Sequence, residues 1–140
     1  MKRAKTVPER DKSRPPGSRG QSTSIRIKRV YDEPTRDDGV RILIDRLWPR
    51  GLSKAELKLD AWPRALSPSN ELRKWYGHDP KLFAEFRRRY REELAGQKEE
   101  LAMLWAMIKG RKATLLTATR ELELSHAVVL REALEAKSSK

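Results

Sequence analysis

Cysteine is absent from this 140-residue chain. That excludes disulfides, zinc–thiolate centres, iron–sulfur clusters and thiol nucleophiles. Long apolar runs are absent too. None approaches the roughly 20 residues that span a bilayer, so no membrane partner is expected. Histidine is scarce: two copies, with no cysteine beside them, make a weak case for a metal site. A Gly-rich phosphate loop, a Gly-x-Ser-x-Gly elbow and a paired-histidine motif are all missing. No cofactor is called for.

Positive charge is plentiful. The chain carries 32 Lys+Arg against 20 Asp+Glu, a net charge of +12. Such a balance favours polyanions or anionic small molecules over cationic ligands. Part of the excess sits in residues 1–23, which hold seven basic and two acidic residues among prolines and glycines. This segment has too little apolar surface to offset its ordering entropy and reads as a disordered tail. It lacks the apolar stretch of a signal peptide. The remaining +7 belongs to the rest of the chain, which fits one domain over residues 24–137 with a short disordered end at 138–140.

Hydrophobic periodicity gives the element order. Ile25 and Ile27 alternate with Arg26 and Lys28, a short strand with one wet face. Val40 to Ile44 is nearly continuous and rich in β-branched residues, a strand covered on both faces. Pro49 and Gly51 then end any ladder. Ser53 to Glu56 has capping-box spacing. Ser67-Pro68 predicts a helix start, with a stop at Gly77. Asp79-Pro80 opens a long stripe through Leu82, Phe86, Tyr90 and Leu94, continued by Leu101, Leu104, Trp105 and Ile108. Gly96 is a candidate break in it, and Gly110 a natural stop. Lys112 to Ala118 reads as a third strand, and Leu122 to Leu134 as a final helix. The sum is an α/β fold, a single small domain with a short, mostly parallel sheet flanked by helices. The connection between the first two strands is too short for a helical crossover, so an antiparallel hairpin stays open there.

In open parallel sheets ligands gather beyond the carboxyl ends of the strands. Those ends carry Asp45, Arg46, Trp48 and Arg50 after the second strand. After the third they carry Thr117 and Arg120, with Ser125 and His126 opening the last helix. Arginine grips carboxylate or phosphate with two parallel hydrogen bonds. The expected site is therefore a basic pocket for a small anionic or phosphorylated ligand, with Asp45 orienting an arginine. His126 is the candidate acid/base; its alternative is a histidine flanking the core and bonded to a backbone carbonyl. Trp48 and Trp62 stand beside arginines and can stack bases, although tryptophans in a small domain usually serve the core. Arg87 to Arg91, together with the tail, offers nucleic acid an electrostatic footprint; the ordinary reading is a solvated helix face. A third reading is an interaction protein that pairs through the helices of residues 80–109.

Several stretches resemble a known family. Lys28-Arg29-Val30-Tyr31-Asp32, Asp38-Gly39-Val40-Arg41 and Asp45-Arg46-Leu47-Trp48-Pro49-Arg50-Gly51 are similar to the start of the YeaO-like proteins, a bacterial family of unknown function numbered four-eight-eight. The likeness continues through Leu59-Asp60-Ala61-Trp62, Pro68-Ser69, Leu72-Arg73, Phe86 and Tyr90. It ends in Thr114-Leu115-Leu116 and His126-Ala127-Val128-Val129-Leu130, covering about residues 25–136. The resemblance implies a compact α/β domain in the cytoplasm and no settled activity. It adds weight to His126 and to the loop after the second strand, and brings Ser69 and Arg73 into the expected ligand set. More distant relatives carry cysteines near the third strand and the following helix, where this chain has Thr117 and Ser125. A role that depends on those cysteines does not transfer.

Overall fold

A computed structural model describes residues 22–138. The basic segment of residues 1–21 and the last two residues lie outside the described part. Among the described residues three strands form one sheet: β1 (Ser24–Arg29), β2 (Val40–Leu43) and β3 (Lys112–Thr117). Their spatial order is β1-β3-β2, and both pairings are parallel. The question of a hairpin is thereby answered. β1 and β2 do not touch, because β3 lies between them. Residues 30–39 carry the chain across β3 with a 3-10 turn at Arg36–Asp38 in place of a helix. Gly39 makes that passage possible. Its φ is +63°, and a Cβ there would sit 2.2 Å from the Lys112 carbonyl oxygen.

The helices are α1 (Lys54–Leu57), α2 (Asn70–Tyr76), α3 (Phe83–Ala95), α4 (Lys98–Ile108) and α5 (His126–Ser138). Ser53 and Glu56 close the expected capping box on α1. The cap of α2 differs from expectation: it is Ser69, whose hydroxyl accepts from the Leu72 amide. Ser67 is spent elsewhere, because its hydroxyl and amide both donate to the Arg64 carbonyl and close a 3-10 turn. α3 starts after a further 3-10 turn at Pro80–Leu82, and Gly96 does separate α3 from α4. β3 ends at Thr117, one residue early, where Asp45 takes over the next amide.

Period-two alternation places successive residues of each strand on opposite faces. Ile42 and Leu115 join the larger core with Phe86, Tyr90, Leu130 and Leu134 from α3 and α5. Leu43 and Leu116 face the other way, into a smaller cluster with Val30 and Leu57, against which Trp48 and Trp62 pack. Each such leucine is worth roughly 1.5–3 kcal/mol of burial. With both faces covered, the polar chemistry is driven to the ends of the strands. The outer edge of β2 is partly closed by Ala61, whose carbonyl accepts from the Leu43 amide at 3.0 Å.

Candidate functional site

Beyond the carboxyl ends of β2 and β3 the chain opens a cavity of about 430 Å³. Asp45 forms its polar floor. The Thr117 hydroxyl donates to one carboxylate oxygen at 2.7 Å and the Ala118 amide to the other at 2.8 Å. His126 Nε2 approaches the same carboxylate at 3.0 Å and the Ile44 carbonyl at 3.2 Å. Both neighbours are acceptors, so Nε2 carries a proton. Burial pushes the Asp45 carboxyl up. The hydrogen bond and charge of His126, with the Ala118 amide and the Thr117 hydroxyl, outweigh it and hold the group below its ordinary value. Asp45 is thus a carboxylate whose partners are already in place. Its own carbonyl accepts from Trp62 Nε1 at 2.7 Å, which fixes the backbone there.

The cationic wall comes from two elements. Arg46 and Arg50 follow β2; Arg73 and Lys74 ride on α2. None of the four forms an ion pair with a described residue. Arg46 reaches only the Pro68 carbonyl, at 3.3 Å, and its Nε is buried without a hydrogen-bond partner among the described residues. Four cations therefore face one carboxylate that His126 already holds. A buried guanidinium nitrogen with no acceptor is a cost that an incoming oxyanion relieves by drawing the side chain over.

Of the expected residues, Asp45, Arg46, Trp48, Arg50, Arg73, Ser125 and His126 line this cavity. Three do not. Thr117 lies behind Asp45 as its donor. Ser69 caps α2 and gives its amide and hydroxyl to Glu93 at 2.9 and 2.6 Å. Arg120 is exposed past the end of β3, away from the lining. The geometry adds Tyr31, Lys74 and His78. Tyr31 was findable by the strand-end rule applied to β1, and Lys74 by its place beside Arg73. His78 carried no such signal: a left-handed turn, φ +60°, aims it at the rim directly after Gly77.

Hydroxyl chemistry is limited. The Ser125 hydroxyl donates to the Leu122 carbonyl at 2.6 Å and accepts from the Ala127 amide. Thr117 is committed to Asp45. Among the described residues, no hydroxyl of this cavity is hydrogen-bonded to His126, so an activated nucleophile is not assembled. No group of three or more metal-ligating side chains is gathered among the described residues. Three of the four arginines of α3 have partners: Arg87 pairs with Glu132, Arg88 with Glu85 and Glu92, and Arg89 with Glu85 while lying over the Trp75 ring; Arg91 forms no ion pair with a described residue. No helix among the described residues is long and apolar enough to cross a membrane.

Residues 24–140 match the family model described as the inactive DUF488-N3 subclade. An uncharacterised protein of Mycobacterium tuberculosis is 42% identical over 114 residues, which cover 81% of this chain and 96% of its own. The uncharacterised protein YeaO of Escherichia coli is 43% identical over 107 residues, covering 76% of this chain and 93% of its own. No solved structure matches.

Proposed function

The chain belongs to the DUF488 family, in the subclade described as inactive, and on that premise we propose that it binds a small anionic ligand without converting it. One observation carries this reading: Arg46, Arg50, Arg73 and Lys74 surround a cavity whose single carboxylate is already taken by His126. The unpartnered Nε of Arg46 supports it. The site lies beyond the carboxyl ends of parallel strands, where ligands of open α/β sheets gather. Binding without turnover agrees with the committed hydroxyls of Thr117 and Ser125 and with the description of the subclade. In this role His126 positions Asp45 through its Nε2 hydrogen bond.

The nucleic-acid alternative has less behind it, because Glu132 of α5 and Glu85 and Glu92 of α3 pair with Arg87, Arg88 and Arg89, three of the four arginines on that helix. The experiment is a calorimetric and thermal-shift titration at low salt with inorganic phosphate, acetate and short DNA and RNA. Stabilisation by an anion that is lost in Arg46→Ala supports the pocket. No response to any small anion overturns it.

A further inference from the structure

We infer that the bound anion carries a flat apolar body about one ring in size; this rests on the anion-binding reading above. The cavity is divided. Arg46, Arg73 and Lys74 supply charge, while Tyr31, Leu47 and Trp48 supply apolar surface. Its volume of about 430 Å³ falls in the range of pockets for organic ligands and far exceeds the needs of a tetrahedral oxyanion. Four of the chain's nine aromatic residues and both histidines line this one cavity. Two of the four, Tyr76 and Phe86, are buried and stack at 4.3 Å, so the core accounts for them.

Tyr31 and Leu47 have no such account. They are 47% and 69% exposed, and the core does not use them. Tyr31 is nonetheless held. Its hydroxyl donates to the Arg50 carbonyl at 3.1 Å, and the Arg29 guanidinium lies over its ring at 5.1 Å from the centroid. Arg29 is itself anchored to the carbonyls of Ala118 and Thr119. Trp48 spends its one polar atom inside the fold, donating to the Leu52 carbonyl at 2.6 Å, and sets its ring against Trp62 at 5.4 Å. A fixed aromatic ring with open surface, beside a loop whose two arginines form no ion pair with a described residue, loses less entropy on stacking than a mobile one. A ligand ring laid there covers apolar area while its anionic group reaches Arg46 and Arg73.

The test is isothermal titration of the full chain with matched pairs: phenyl phosphate against methyl phosphate, and benzoate against acetate. We expect the aromatic member of at least one pair to bind tenfold more tightly or better. In that pair, Tyr31→Ala and Leu47→Ala should each narrow the ratio at least threefold, with circular dichroism confirming the fold. Equal affinities within both pairs, while one of the anions still binds, overturn this inference and leave the anion reading standing. An aromatic advantage untouched by either variant places the ring elsewhere and also overturns it. No binding by any of the four removes both readings.

Discussion

Asp38 lies within the connection from β1 to β2, and Asp45 lies just past the end of β2. Both carboxylates are held by several donors, and both stand near arginine. Around Asp38 the arginine is consumed. Arg41 is buried, pairs with Asp38, and gives its remaining N–H groups to the carbonyls of Leu57 and Lys58. Lys28 pairs with the same carboxylate at 2.8 Å, and Thr35 adds its amide and hydroxyl. Around Asp45 the imidazole of His126 takes the carboxylate instead, and the neighbouring guanidinium groups stay open to the cavity. Proximity of acid and arginine therefore does not make a site. An arginine becomes available when something else has satisfied its nearest acid.

Breaking the closed cluster should have the largest effect. Asp38→Ala leaves the buried Arg41 guanidinium unpaired, which costs about 3–5 kcal/mol. Urea denaturation should show this loss; a change under 1 kcal/mol would mean that Arg41 finds water or another acceptor. Asp45→Asn should cost less, about 1–3 kcal/mol, because the amide oxygen still accepts from Thr117 and His126 and only the Ala118 amide loses its acceptor.

The same substitution should change the acid limb. Asp45 is held below its ordinary value when folded, so its contribution is present above the unfolded value near 3.9 and is lost as pH falls through the lower folded value. Burial opposes ionisation of Asp38, but Lys28, Thr35 and Arg41 overcome it, so Asp38 contributes with the same sign. Melting temperature against pH should fall below about pH 4 in the parent chain. It should fall less steeply in Asp45→Asn.

Arg73→Ala sharpens the contrast from the other side. Arg73 is exposed and forms no ion pair with a described residue, so stability should move by no more than about 0.5 kcal/mol. Anion affinity should fall roughly tenfold, the loss of one charge-assisted contact. Arg87→Ala should be the smallest change. Its pair with Glu132 is 40% and 36% exposed, which puts its worth at about 0–1 kcal/mol, with no effect on anion titration.

Much of this was legible residue by residue. The capping box at Ser53, the break at Gly96 and the stop at Gly77 follow from local backbone chemistry and stand as read. Ser69 shows the limit. Two serines flank Pro68, either of which has the chemistry of a cap, and the choice fell to Ser69 because Ser67 closes the turn before it. Thr117 looked like a ligand contact, but it stands one layer behind, as the donor that fixes Asp45. His78 was invisible, since nothing in Gly77-His78 announces that both residues take left-handed backbone.

The amino-acid order alone determined the α/β class, the strands and most helix ends, because these depend on periodicity and on neighbours within a few positions. It also placed arginine at the strand ends. Tertiary structure decided that β3 runs between β1 and β2, which brings residues 45, 73 and 126 around one cavity. It also decided which charges stay open, because Arg41 meets its acid inside the fold while Arg46 has no described acid to meet. Pairing across dozens of residues is a property of the folded surface, and local chain chemistry does not encode it.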